Sequence, residues 1–181
     1  AATNGGGQVW VAAGRYSAVS TSPVAALSTR VSLIGGFEGY AGGTGAQETA
    51  FDQRDPEANV TILDGEGISN HVVTSAPNAW VDGFTITDAY ATGAGFLGWG
   101  GGLFNDDTMV VSNCRFVANR AQFGGGILNQ GFLRVRSCRF VNNIANVAGT
   151  PSGGGMRDLS GGLVEDSVFV GNEASSQGGG L

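Results

Sequence analysis

The sequence predicts an all-β fold: a single-stranded right-handed parallel β-helix, or β-solenoid, of about seven coils. Three observations predict it: glycine is abundant, similar segments recur at the length of one coil, and apolar side chains alternate within short strands. The chain has 181 residues, of which 33 are glycine, yet 41% of all residues are hydrophobic. Because apolar residues are plentiful and glycine shows no three-residue period, disordered and collagen-like chains are excluded.

Repeated segments define the coils. Glycine triplets begin at Gly100, Gly124, Gly153 and Gly178. Similar short strands are opened by seven valines: Val9, Val31, Val60, Val81, Val111, Val135 and Val164. Successive valines of this series lie 21 to 30 residues apart, a period typical of one solenoid coil with loops of variable length.

The whole chain, 1–181, is assigned to one β-helix domain. Residues 1–99 are expected to form irregular N-terminal coils with long side loops, and residues 100–181 to form regular coils. The repeat pattern starts and stops without a visible cap, and natural solenoids cover their ends. We therefore expect the chain to be a fragment of a longer one, and its exposed sheet edges to allow end-to-end self-association.

Within each coil, alternation predicts which side chains face inward. Val111, Cys114 and Phe116 should be buried, Arg115 should face outward, and Ser112-Asn113 should form a bend. Equivalent inward positions then stack about 4.8 Å apart in ladders. The ladders are Val81, Val111, Val135 and Val164; Phe84, Cys114, Cys138 and Ser167; and Ile86, Phe116, Phe140 and Phe169. Cys114 and Cys138 are expected to be buried free thiols, because in-register neighbours point their Cβ atoms the same way.

Asparagine follows each inward phenylalanine by three residues. These FxxN copies end at Asn119, Asn143 and Asn172. Asparagine tolerates the left-handed conformation at a tight turn, and stacked carboxamides can hydrogen-bond from coil to coil. The sequence therefore predicts a structural asparagine ladder. A second, looser ladder is predicted for Asn105, Asn129 and Asp158.

The paired motifs resemble those of a known family. GGGL or GGGI followed by FxxN, across residues 100–181, is similar to the GGAI and FxxN repeats of the polymorphic outer-membrane proteins, autotransported adhesins of intracellular bacteria. In the first half, VWVAAGRY, VSLIGGFEG, DQRDPEANVTILDG and VDGFTIT look like the opening coils of secreted bacterial β-helix proteins of pectin-lyase-like fold. The resemblance implies a secreted or surface-anchored protein, extracellular or on the outer membrane, that binds a ligand. Fold alone does not fix function.

The net charge of the chain limits the classes of partner that it can bind. The net charge is -6, and all nine basic residues are arginine. An acidic surface repels phosphate, so nucleic acid and anionic membranes are poor partners. No apolar run approaches the roughly 20 residues needed to span a bilayer, so this segment is not expected to insert into a membrane.

An enzyme is the alternative to a binding module. Lyases of this fold, which act on acidic polysaccharides, pair a calcium-holding carboxylate cluster with a basic residue, and hydrolases of this fold use several aspartates. Asp82, Arg115 and Arg139 are the candidates, but Thr85 and Val168 flank the two arginines and place no carboxylate in line with them. The sequence therefore favours a scaffold without a catalytic set, a metal site or a cofactor. A bound calcium ion is expected only under the lyase alternative.

Two loops could contribute to binding. In the loop from Phe37 to Ala58, Arg54 lies between Asp52 and Asp55 and is predicted to clasp the loop through charge-assisted hydrogen bonds. In the loop after Tyr90, the rings of Tyr90, Phe96 and Trp99 could stack on sugars or fold back over the helix flank. His71 is interpreted as a hydrogen-bonded edge residue. We expect an adhesin-type module whose partner is a carbohydrate or a host or cell-surface ligand.

Overall fold

The computed structural model describes residues 6–39, 48–146, 153–175 and 178–181, and these residues form parallel β-structure. In chain order the strands are β1 Gly7–Ala12, β2 Gly14–Ser17, β3 Ala25–Ala26, β4 Val31–Phe37, β5 Thr61–Asp64, β6 Val73–Thr74, β7 Ala79–Asp82, β8 Phe84–Thr87, β9 Tyr90–Ala91, β10 Leu103–Asn105, β11 Thr108–Ser112, β12 Arg115–Val117, β13 Arg120–Ala121, β14 Ile127–Asn129, β15 Phe132–Arg136, β16 Arg139–Val141, β17 Ile144–Ala145, β18 Met156–Asp158, β19 Leu163–Glu165, β20 Val168–Val170 and β21 Glu173–Ala174. Two short 3₁₀ turns cover Phe51–Gln53 and Gly95–Gly98.

The strands form four sheets in which all pairings are parallel. Sheet A is β1-β4-β7-β11-β15-β19, sheet B is β2-β5-β8-β12-β16-β20, sheet C is β3-β6-β10-β14-β18, and sheet D is β9-β13-β17-β21. From β6 onward the chain visits the sheets in the fixed order C, A, B, D and then repeats. The predicted all-β, parallel architecture is confirmed, and it is consistent with a β-solenoid.

The described residues do not confirm the expected count of about seven coils. Among the described residues, sheets A and B each contain six strands, where about seven coils were expected. Val60 does not open a strand of the valine series, because it precedes β5 of sheet B, in the same coil as Val31. Leu33, and not Val31, is the neighbour of Val9 and Val81 in sheet A. The long loop between β4 and β5 separates Val31 from Val60 by about as many residues as one coil contains, so the two valines look like members of successive coils.

The predicted inward ladders form the core, except that their last members, Val164, Ser167 and Phe169, are only partly buried. Val81, Val111 and Val135 are fully buried and in register in sheet A. The rings of Phe116 and Phe140 stack with centroids 4.9 Å apart. Phe140 stacks on Phe169 in turn, at 4.5 Å. Such ring pairs contribute about 0.5–1.5 kcal/mol beyond the area they bury.

Cys114 and Cys138 are both free and buried, one coil apart. Burial raises the pKa of the Cys114 thiol, because a thiolate is poorly solvated in the core. Because both side chains are buried, the two cysteines pack as small apolar residues that continue the Phe84 ladder.

The glycine triplets that begin at Gly100, Gly124 and Gly153 each pack against the FxxN motif of the same coil. A Cβ atom at Gly102 would lie 2.8 Å from a ring carbon of Phe116 and 3.0 Å from Nδ2 of Asn119. The first glycine of this triplet, Gly100, has a φ of 59°, in the left-handed region. The two sequence motifs are thus the two halves of one packing unit, which explains why they recur together.

The asparagine ladder joins neighbouring coils through its carboxamides. The backbone N–H and Nδ2 of Asn119 donate to Oδ1 of Asn143 at 3.1 and 3.0 Å, and those of Asn143 donate to Oδ1 of Asn172 at 3.0 and 2.9 Å. Nδ2 of Asn143 also donates to the Phe116 carbonyl, one coil back, at 2.9 Å. Each carboxamide therefore bonds backbone groups of the preceding coil, and those of Asn119 and Asn143 also donate to the side-chain oxygen of the next asparagine.

The sequence suggested that the ladder asparagine has the left-handed conformation at this corner. A different residue has it. Ala118 (φ 54°), Asn142 (φ 53°) and Gly171 (φ 60°) have that conformation, one residue earlier in each coil. The turn is made by the residue before the asparagine, which leaves the carboxamide free to point inward. The second ladder is also less loose than expected, because Asn105 and Asn129 are fully buried and joined by a 2.6 Å hydrogen bond.

Candidate functional site

An open groove of about 790 Å³ lies over sheet B, where the chain turns from sheet A to sheet B. Its floor contains Arg115 and Arg139, followed by Val168 of the next coil. The corner residues Asn113 (φ 51°), Ser137 (φ 53°) and Asp166 (φ 47°) line the groove, and so do residues of the segment 51–60 before β5, which forms a wall of it. The bend predicted at Ser112-Asn113 is this corner.

Arg115 and Arg139 pair in register on adjacent strands, and both are exposed. Among the described residues, neither guanidinium makes an ion pair. Thr85 and Val168 are their in-register neighbours above and below, as the sequence predicted. The groove floor thus presents two adjacent cations that can donate hydrogen bonds to a ligand.

Asp82, the third catalytic candidate, does not line the groove. Its carboxylate is 1% exposed and is ion-paired with Arg54, whose side chain is only 10% exposed. Oδ2 of Asp82 accepts hydrogen bonds from the hydroxyl of Ser112 and from Nδ2 of Asn113, the latter at 2.9 Å. Nε1 of Trp80 donates to the same hydroxyl at 2.6 Å. The arrangement is a buried polar network that satisfies its carboxylate.

The network holds the groove wall in place. Arg54 also donates from Nη1 to the carbonyl of Gly35 at 3.1 Å, and its guanidinium lies 4.4 Å from the ring centroid of Phe51. The clasp predicted for this loop is therefore present, but its carboxylate is Asp82 and not the flanking Asp52 or Asp55. Asp55 instead accepts hydrogen bonds from the backbone of its own turn, at Glu57 and Ala58.

The second predicted binding surface is only partly assembled. The rings of Phe96 and Trp99 meet edge to face, with their centroids 4.8 Å apart. Phe96 packs on Phe104 and Trp99 packs on Phe123, with ring centroids 5.9 and 6.0 Å apart. Tyr90 lies apart from them, beside a smaller cavity of about 390 Å³. The loop is folded back on the flank, although 60% of Phe96 remains exposed.

His71 is buried beneath this aromatic loop. Nδ1 hydrogen-bonds to the Gly100 carbonyl at 3.1 Å, and the ring lies 5.4 Å from that of Phe104. Burial lowers the pKa of His71 below its ordinary value of 6.5, and the backbone contacts with Gly100 and Trp99 oppose this shift. These contacts give it a structural position, with its hydrogen bond directed to backbone.

A row of residues on the outward side of sheet B is graded in exposure. The row consists of Thr87, Val117, Val141 and Val170, which are in register on adjacent strands. Thr87 is 8% exposed, whereas Val170 is 43% exposed.

Sequence reasoning missed several residues of the groove. Phe51 and Val60 line it from a loop that has no periodic pattern. Asp166 and Ser137 could have been found, because each directly precedes an inward position of the Cys114 ladder, and the residue at that place forms the corner.

No helix in the described part of the chain is long and apolar enough to cross a membrane. Within the same residues, no group of three or more histidine, cysteine, aspartate or glutamate side chains could hold a metal ion. No family model, curated protein or solved structure matches the chain.

Proposed function

We propose that the chain is a binding module of a secreted or cell-surface protein, built as a right-handed single-stranded parallel β-helix, with its ligand in the groove over sheet B. Right-handed connection is the rule for parallel strands joined by crossovers, which supports the handedness. The resemblance of the glycine and FxxN motifs to adhesin repeats supports the location. The observation that carries the function is the exposed, in-register pair Arg115 and Arg139 in the groove, neither of which makes an ion pair with another described residue.

The scaffold suits a binding role because it fixes the positions of ligand-contacting groups. Adjacent strands of a sheet hold their equivalent side chains about 4.8 Å apart, and the core below the sheet is closely packed. Phe116 and Phe140, which are fully buried, lie between the outward residues of the two groove strands. The two guanidiniums are therefore presented from a rigid base, which limits the entropy lost on binding.

A cell-adhesion measurement tests the proposal. Fluorescent beads coated with the purified chain are incubated with cultured epithelial cells, and the retained beads are counted. We expect retention by the native chain and by Arg136→Gln, which removes an exposed arginine of sheet A outside the groove. The double variant Arg115→Gln/Arg139→Gln should lose retention while keeping its circular dichroism spectrum.

Two results would contradict the proposal. Equal retention of the double variant would remove the groove from the binding surface. Release of unsaturated product from an acidic polysaccharide in the presence of calcium, abolished by Arg115→Gln, would replace binding by lyase chemistry.

A further inference from the structure

We propose that the groove over sheet B binds an acidic segment of another polypeptide in which carboxylates alternate with apolar side chains, because Arg115 and Arg139 lie there beside exposed Phe51, Val60 and Val168. This inference rests on the proposed function and names the class of ligand for the same groove.

Charge supplies the first argument. Like charges directly opposite each other on neighbouring strands destabilise a sheet, and Arg115 faces Arg139 in this way. Elsewhere the chain offsets an arginine with a carboxylate from a neighbouring coil: Nη2 of Arg134 lies 2.7 Å from Oε2 of Glu165. No described residue offsets the groove pair in this manner. A carboxylate from a ligand, held by both guanidiniums, removes this repulsion.

The apolar lining supplies the second argument. Phe51, Val60 and Val168 are 38%, 44% and 50% exposed, and all three line the groove beside the arginines. Successive side chains of an extended peptide point to opposite sides, so alternating carboxylates and apolar groups can meet both surfaces at once. An acidic saccharide can stack a sugar ring on Phe51, but it has no alkyl side chains to pack against Val60 and Val168.

The acidic residues of the groove limit how much negative charge the ligand can carry. Asp52, Glu57 and Asp166 line the same groove. They repel a densely charged polyanion, whereas a peptide with a few spaced carboxylates can place each one near a guanidinium. The lining therefore favours a moderately acidic, partly apolar chain.

Fluorescence anisotropy with defined probes tests the inference on the full chain. The first probe is a labelled peptide of alternating glutamate and valine, the second is a peptide of alternating glutamate and serine, and the third is labelled oligogalacturonate. We expect the glutamate–valine peptide to bind at least about tenfold more tightly than the glutamate–serine peptide, and binding to weaken with added salt. Arg115→Gln/Arg139→Gln should weaken it by about tenfold or more, and Arg136→Gln should leave it unchanged.

The alternative outcomes are distinguishable. Tighter binding of oligogalacturonate than of either peptide would assign the groove to acidic saccharides and overturn the inference. Equal binding of the two peptides would show that the apolar wall has no role, and it would also overturn the inference. If no peptide binds while cell adhesion still depends on the arginine pair, the inference fails and the proposed function stands. If adhesion is also absent, both fail.

Discussion

Asn143 is the most connected side chain of the inner ladder. Its Oδ1 accepts hydrogen bonds from the backbone and Nδ2 of Asn119, and its Nδ2 donates to the Phe116 carbonyl and to Oδ1 of Asn172. The residue is fully buried, so water cannot replace these partners. The Asn143→Ala variant should lose about 2–3 kcal/mol of unfolding free energy in urea denaturation, because groups of the two neighbouring coils lose partners.

Asn105 provides the comparison for Asn143. It is equally buried, and its Nδ2 donates to the Asp107 carbonyl and to Oδ1 of Asn129, but it lies in the second ladder and bonds fewer neighbours. We expect Asn105→Ala to lose about 1–2 kcal/mol. Equal denaturation midpoints for the two variants would contradict the argument from the number of partners.

Ala118 has a conformation that an L side chain rarely adopts. Its φ is 54°, whereas glycine occupies the equivalent turn position in the last coil, at Gly171. The left-handed conformation costs an alanine about 1–2 kcal/mol, and glycine avoids this cost but gains freedom in the unfolded chain. Ala118→Gly should therefore raise the unfolding free energy by roughly 0.5–1 kcal/mol. Ala121→Gly, in buried β13, is the control and should lower it.

At the scale of the element, the third glycine of each triplet sets how closely two coils approach. A Cβ atom at Gly126 would lie 2.3 Å from the Gly155 carbonyl oxygen of the next coil and 3.1 Å from a ring carbon of Phe140. Both neighbours are fixed by the backbone and by the phenylalanine ladder, so neither can yield. Gly126→Ala should cost about 2–4 kcal/mol or prevent folding, as overpacked cores do.

Gly7→Ala is the matched control for this element. A Cβ at Gly7, in β1, would meet no atom of the described residues within 4 Å. Circular dichroism melts should show Gly7→Ala within a few degrees of the native chain and Gly126→Ala far below it. Similar melting temperatures for both variants would show that the coils can separate to admit the extra methyl group.

The loop that walls the groove depends on one buried ion pair. The side chains of Arg54 and Asp82 are 10% and 1% exposed, so breaking their pair leaves a charge without a partner in the interior. Asp82→Asn or Arg54→Gln alone should each destabilise the chain by about 3–5 kcal/mol. The double variant should be less destabilised than the sum of the two, and a double-mutant cycle measures this coupling. Strictly additive losses would mean that the two side chains act independently.

At the scale of the whole molecule, the periodic features were predictable and the pairing of loops was not. The ladders that contain Val111 and Phe116 follow from two-residue alternation repeated at each coil, so their register is encoded locally. The Arg54–Asp82 pair joins a side loop to a strand of the following coil, and no local pattern encodes it. Val60 was placed in the valine series for a related reason: the loop before β5 is as long as a coil.

The candidate site also has features that the sequence predicted and features that depend on how the loop packs. The outward, in-register positions of Arg115 and Arg139 were predicted from alternation, and the structure places them on one groove floor. The depth of the groove and its apolar wall come from Phe51 and Val60, whose positions depend on how the loop folds back over sheet B. Sequence periodicity therefore locates the cations but not the ligand class.

The stability of the whole chain should depend on pH through its single histidine. Burial lowers the pKa of His71, so the folded chain keeps it neutral, whereas in the unfolded chain it titrates near 6.5. Between the folded pKa and 6.5 the unfolded state binds more protons, so this contribution to stability is present above 6.5 and is lost as the pH falls through that window. Urea midpoints should therefore decrease from about pH 7.5 to pH 5, a range above the ordinary titration of carboxylates. The His71→Gln variant, which keeps a donor near the Gly100 carbonyl, should show a flatter profile over this range. An unchanged slope in that variant would place the titrating group elsewhere and contradict the assignment to His71.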